Sequence, residues 1–202
     1  MPRQIVVRAA GALAALIVLA GCAGSPAAAS FDQQFIDMMV PHHQGAVEMA
    51  RIAQQRAQRP EIKHLAEAII RAQDEEIARM KGWRRAWFGS DQTPPLAQMP
   101  MVPGMGSEHG GHGATMDMAA DVEALRRAGE PFDRAFIDAM ILHHESAIAA
   151  ARAAATRAQR AEIKELARQI IADQQREIEQ LQAWRQAWFG SAALQPPLRP
   201  AA

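Results

Sequence analysis

The sequence predicts an all-α protein, a four-helix bundle made of two repeated αα hairpins, and three observations predict it. First, the run from Phe31 to Ala50, with His42 and His43 adjacent inside a helical apolar pattern, recurs from Phe132 to Ala151 with His143 and His144. The repeat continues without a gap to Gly89-Ser90 and Gly190-Ser191, so two equivalent units are the starting point. Second, the chain has no Tyr, is rich in Ala, and carries long stretches without Gly or Pro, a composition that favours helices over strands. Third, apolar residues in both copies follow the three-and-four spacing of a buried helical stripe. With 202 residues, 49% of them hydrophobic, the chain can bury one sizeable core or two small ones. A lone hairpin cannot bury its apolar face, so the two are expected to share one bundle.

Taken in order, residues 1–21 read as an export signal: Arg3 and Arg8 precede an apolar run too short to span a bilayer about 30 Å thick. The run ends in Leu19-Ala20-Gly21-Cys22, which resembles the bacterial lipoprotein box, whose cysteine is lipidated. Cys22 is the only cysteine, so no intramolecular disulfide can form. Residues 22–30, small and uncharged, read as a tether holding the folded part away from a membrane.

The first hairpin repeat is placed at 31–90. In its first helix Phe35, Met39, His43, Ala46, Ala50 and Ala53 form the buried stripe, and His42 shares the neighbouring row with Met38 and Met49. Pro41 is expected to kink one continuous helix, because the second copy has Leu142 there; that helix should end between Gln55 and Gln58. The second helix opens at Pro60, suited to a first helical position, and its stripe of Ile62, Leu65 and Ile69 is interrupted by Gln73 and Glu76 before Met80, Trp83 and Trp87. Gly89 is the natural left-handed stop. The rings of Trp83, Trp87, Trp184 and Trp188, with Phe88 and Phe189, are expected to form an aromatic plug at one end of the bundle.

Residues 91–118 form a Pro- and Gly-rich linker expected to hold no regular element. It contains Met99, Met101, Met105, Met116 and Met118 around His109 and His112, where nothing asks for apolar packing. Residues 119–191 should hold a short helix, from Ala119 to about Ala128, and the second hairpin repeat, in which Met140 mirrors Met39, and Gln174 and Glu177 mirror Gln73 and Glu76. Residues 192–202 are a C-terminal tail.

The formal net charge of zero gives no footprint for nucleic acid or an acidic membrane surface, so the membrane is a partner only through the lipid anchor. What demands an explanation is the interior. Four histidines, two glutamines and two glutamates at equivalent core depths make an expensive polar layer, which must either satisfy itself and its waters or ligate a metal. Imidazoles beside the thioethers of Met38, Met39, Met49 and Met140, with no thiolate, suit copper best; Met favours Cu(I) and His serves both oxidation states. The linker methionines and histidines read as a second, collecting copper site.

The pattern Phe-Asp-x-x-Phe-Ile-x-x-Met-x-x-His-His, followed by Glu-Ile-x-x-Leu-Ala-x-x-Ile-Ile-x-x-Gln-x-x-Glu-Ile, stands at 31–77 and again at 132–178. It resembles the bacterial family named domain of unknown function 305. That resemblance implies a ferritin-like bundle, an exported protein and, as in some members, periplasmic copper binding. The second copy differs in having Ser146 and Ala150 where the first has Gly45 and Met49.

Two rival classes stand beside this reading. One is a di-iron redox enzyme of the same architecture, which needs four carboxylates and two inward Glu-x-x-His turns. Only Glu61 to His64 has that spacing, and the other copy has Glu162 and Glu165; Asp37 and Asp138 fit equally as added ligands or as solvated residues. The other is a structural or partner-binding envelope lipoprotein without metal. Oligomeric state, and whether the second repeat binds metal, stay open at the level of sequence.

Overall fold

The computed structural model describes residues 29–98 and 118–190, which hold five α-helices and no strand. Helix α1 spans Phe31–Arg56, α2 Pro60–Phe88, α3 Met118–Arg126, α4 Phe132–Arg157 and α5 Ala161–Phe189. The signal segment, Cys22, the linker residues from Met99 to Met116 and the C-terminal tail lie outside the described residues.

The local signals act where the sequence places them. Ser30 caps α1, its hydroxyl oxygen accepting the Gln33 N–H at 3.2 Å. Pro41 sits inside α1, which continues to Arg56. Pro60 occupies the first turn of α2, and Gly89 and Gly190 close α2 and α5 in the left-handed conformation at φ 79° and 69°. One expectation fails: the start of the linker is not without structure. Leu96–Gln98 forms a 3-10 turn, and Leu96 packs against the core, because an apolar side chain directly after Pro94-Pro95 finds the surface of α1 and α3 within reach.

Within each repeat the two helices run antiparallel, as the His43–Glu76 and Asp37–Arg84 pairs require. The repeats meet chiefly through α1 and α4, and α3 packs on α1. The core falls into two apolar clusters, each drawing on both repeats. One joins Ala46, Met49, Ile62 and Ile69 to Phe132, Phe136, Met140 and Leu181; the other joins Phe35, Met38, Met39 and Met80 to Ala147, Ile163 and Ile170. The polar histidine layer lies between them along α1, α2, α4 and α5. Burying Phe, Ile and Met side chains completely contributes about 1.5–3 kcal/mol each, so the two clusters supply the stability against which the polar layer is held.

Each repeat also closes the turn of the other. The backbone N–H groups of Gln159 and Arg160, at the start of α5, donate to Asp32 Oδ1 and Oδ2 at 2.9 and 3.0 Å. Those of Gln58 and Arg59, at the start of α2, donate to Asp133 Oδ1 and Oδ2 at the same distances. Neither α2 nor α5 has a side-chain cap of its own, so the carboxylate of the opposite repeat satisfies the orphan N–H groups and faces the positive end of the helix.

The aromatic rings do not form one plug. Trp83 and Trp87 stack at 5.4 Å and belong with one apolar cluster, Trp184 and Trp188 stack at 5.1 Å and belong with the other. The guanidinium of Arg160 lies 4.0 Å over Trp87 and that of Arg59 lies 4.1 Å over Trp188. Because the turn of one repeat meets the far helix end of the other, the two ring sets are carried to opposite ends.

Candidate metal centre

Helices α1 and α4 supply all four histidines of the layer, and α2 and α5 supply its amides and carboxylates. His42, His43 and His144 are completely buried and His143 is 4% exposed; Gln73 and Gln174 are buried with them. Adjacent residues on one helix point about 100° apart, so a His-His pair presents two rings to different neighbours. His42 and His143 meet each other across the repeat axis, ring centroids 3.9 Å apart and tilted by 52°. His43 and His144 turn to their own repeat: His43 Nε2 donates to Glu76 Oε2 at 2.7 Å, and His144 Nε2 lies 2.6 Å from Glu177 Oε2, a close approach without hydrogen-bond alignment.

The remaining contacts of the axis pair are asymmetric. His42 Nε2 is 2.7 Å from the Ser146 hydroxyl, whereas His143 Nε2 donates to the His42 carbonyl at 3.1 Å, because the residue matching Ser146 in the first repeat is Gly45. A Cβ at Gly45 would lie 3.5 Å from each of His143 Nε2, Leu96 Cδ1 and Met118 Cβ. The two ends of the Met- and His-rich linker are thus seated on α1 next to His143.

Every imidazole in the layer therefore has its Nε2 occupied or closely faced by a protein group, while all four Nδ1 atoms are buried without a partner. Gln73 Oε1 and Gln174 Oε1 are buried and unpartnered as well. Burial, then the neighbouring rings of His143, His43 and His144, hold the His42 imidazole well below its ordinary titration range. Burial and the rings of His144 and His43 do the same to His143, against a smaller upward pull from the His42 carbonyl. Both rings are neutral near pH 7, and because a carbonyl can only accept, the His143 ring proton stands on Nε2 and its Nδ1 carries a lone pair. A metal-binding histidine characteristically donates its other ring N–H to a carboxylate, carbonyl or similar group, and His43 and His143 meet that requirement through Glu76 and the His42 carbonyl.

The layer is organised as pairs. Among the described residues no three His, Cys, Asp or Glu side chains converge on one point, so a metal held here draws on imidazole together with thioether or amide. The thioethers flank the layer on both sides: Met38, Met39 and Met118 belong to one apolar cluster, Met49 and Met140 to the other, all of them buried. Met118 is thus a core residue that opens α3, not a member of a loose segment.

The carboxylates left open by the sequence are committed elsewhere. Asp37 pairs with Arg84 and Asp138 with Arg185, each through both carboxylate oxygens, so these half-buried carboxylates are engaged by guanidinium groups rather than by the histidines. Glu61 and His64 are exposed on α2. Sequence reasoning missed Asp32, Asp133 and Ser146. The first two carried a signal, the Phe-Asp that opens both repeats; Ser146 carried only its difference from Gly45.

The model of the family described as domain of unknown function (DUF305) matches residues 32–185. Among solved structures, CopM in the Cu(I)-bound form is 40% identical, with a TM-score of 0.62, over 79% of this chain and 98% of that one. CopM in the Cu(II)-bound form is 44% identical over 78% and 97%, with a TM-score of 0.61. A DUF305 protein of Streptomyces coelicolor, described as secreted, is 28% identical over 76% and 91%, with a TM-score of 0.60. No curated protein matches the chain.

Proposed function

The chain belongs to the DUF305 family, and on that premise we propose that it is an exported, lipid-anchored protein that binds copper in the cell envelope, sequestering or delivering it. In this reading its helices make a ferritin-like four-helix bundle of two repeated hairpins. The observation that carries the reading is the set of four buried Nδ1 atoms without a partner, each on a ring whose Nε2 is held or faced by a protein group. Four unsatisfied ring nitrogens in one buried layer are costly in a protein without a ligand and are the expected preparation for one. Copper is favoured over other metals by the thioethers on both sides of the layer, and by the copper-bound forms of CopM at 40% and 44% identity.

The ligand set proposed for the helices is His42, His43, His143 and His144 with Met38, Met39, Met49, Met140 and the amides of Gln73 and Gln174; Glu76 and Glu177 orient His43 and His144 rather than bind. Met99, Met101, Met105, His109, His112 and Met116 form the proposed collector. Leu96 and Met118 bracket them and pack beside His143, which would hold captured copper at a high effective concentration next to the layer.

The test is titration of the protein with Cu(I) and Cu(II). Copper should raise the Tm of the wild type by mass action, and His43→Ala with His144→Ala should abolish the tighter binding and most of that shift. An equal shift in the doubly substituted protein would leave the layer a structural feature only. For the anchor, Cys22→Ser should release the protein from membranes; unchanged fractionation would remove the lipid from the proposal.

A further inference from the structure

From the hydrogen bonds around the repeat axis we infer that Ser146 is a positioning residue: it holds His42 as the Nε2–H tautomer, leaving Nδ1 as the buried lone-pair nitrogen. The inference deepens the copper-binding reading and rests on it for its effect on affinity. Ser146 Oγ lies 2.7 Å from the carbonyl oxygen of His143 and 2.7 Å from His42 Nε2. A hydroxyl has one proton, so it can donate to only one of them.

If Ser146 donated to His42 Nε2, the ring proton would stand on Nδ1, which is buried and has no acceptor. The His143 carbonyl can only accept, so the oxygen pair at 2.7 Å needs the hydroxyl proton between them, whereas His42 Nε2 can itself donate to the hydroxyl. Ser146 therefore donates to His143 C=O and accepts from His42 Nε2–H. The remaining link is fixed without choice, since a carbonyl can only accept: His143 Nε2–H donates to His42 C=O at 3.1 Å. The three bonds run in one sense, from His42 to Ser146, from Ser146 to the backbone of His143, and from the His143 ring to the backbone of His42. Both imidazoles are locked in the same tautomer, one by main chain and the other by a single side chain. Gly45, which matches Ser146 in the other repeat, has no hydroxyl, so the role belongs to Ser146 alone.

Nitrogen-15 spectra of the imidazoles in the metal-free full chain separate the two tautomers directly. The wild type should show His42 protonated at Nε2. In Ser146→Ala an Nδ1–H population of His42 should appear, and affinity for added Cu(I) or Cu(II) should fall roughly 10- to 100-fold, the usual loss when a group that orients a ligand is removed. Ser146→Thr, which keeps the hydroxyl, should restore both. A role in stability alone would change the Tm of Ser146→Ala without moving the tautomer. Finding His42 as Nδ1–H in the wild type, an unchanged His42 spectrum in Ser146→Ala, or a changed tautomer with unchanged copper affinity would overturn the assignment. Absence of copper binding by the wild type would sink the reading beneath it, and the metal-free spectra would still decide the tautomer.

Discussion

His42 and His143 lie against each other with ring centroids 3.9 Å apart, and the fold keeps both neutral by burying them beside two further histidines. In the unfolded chain the same rings titrate near pH ~6.5. As the pH falls below that value the unfolded state binds protons that the folded state refuses, so stability is lost on acidification and is flat above it. Each ring contributes a slope of up to about 1.4 kcal/mol per pH unit until its depressed folded-state titration is reached. Urea unfolding of the metal-free protein between pH 7.5 and 5.5 should show this decline, reduced when His42 and His143 are replaced by Gln. A midpoint that does not move over that range would contradict the burial argument.

The carboxylates of Asp32 and Asp133 should matter as much to folding as any apolar residue near them. Removing either leaves two backbone N–H groups at a helix start without acceptors, and hydrogen bonds to charged groups contribute about 1.5–3 kcal/mol. Asp32→Ala and Asp133→Ala are each expected to destabilise by about that amount. The two caps lie at opposite ends of helices about 39 Å long, at 1.5 Å per residue, so the losses should add in the double variant. Chemical denaturation of the four proteins checks both statements, and strong non-additivity would argue against two separate caps.

Gly45 stands in the middle of α1 with ordinary helical backbone, and a Cβ there would make only normal van der Waals contacts at 3.5 Å. Gly45→Ala is therefore expected to stabilise the metal-free protein by about 0.5–1 kcal/mol, through reduced freedom of the unfolded chain. Differential scanning calorimetry should record a rise of about 2–4 °C per kcal/mol. A lowered Tm would mean that Leu96 and Met118 cannot yield the space.

The linker methionines and Met118 should behave differently, although the sequence groups them. Replacing Met99, Met101, Met105, Met116, His109 and His112 by Ser should lower the number of Cu(I) ions bound, while leaving the Tm of the metal-free protein nearly unchanged. Met118→Ala should instead cost about 2 kcal/mol or more of stability, since its side chain is 2% exposed and packs with Phe35 and Met80 in one apolar cluster. Stoichiometry and thermal melts measured on both proteins would reverse the distinction if the first lost stability and the second did not.

The residues alone were enough for the helices, their ends and their buried faces. Pro60 and the two left-handed glycines act within one turn of where they stand, and the three-and-four spacing of Phe35, Met39, His43 and Ala46 is a property of a single helix. The repeat made the same features visible twice and placed both histidine pairs in the interior, where all four are found.

Partners across the interior were decided by the tertiary structure. Periodicity states that His42 and His43 are both inside, but helix crossing selects which ring meets its counterpart from the other repeat and which turns to its own glutamate. Opposite-end placement of the tryptophan pairs, the Asp32 and Asp133 caps, and the Arg84 and Arg185 pairings of Asp37 and Asp138 have the same origin. Each joins segments at least 47 positions apart: the Asp–Arg pairs are set by how the two helices of one repeat pack, the others by how one repeat docks on the other. Docking depends on the shape and charge of whole helix faces, a quantity that no local spacing in the chain carries.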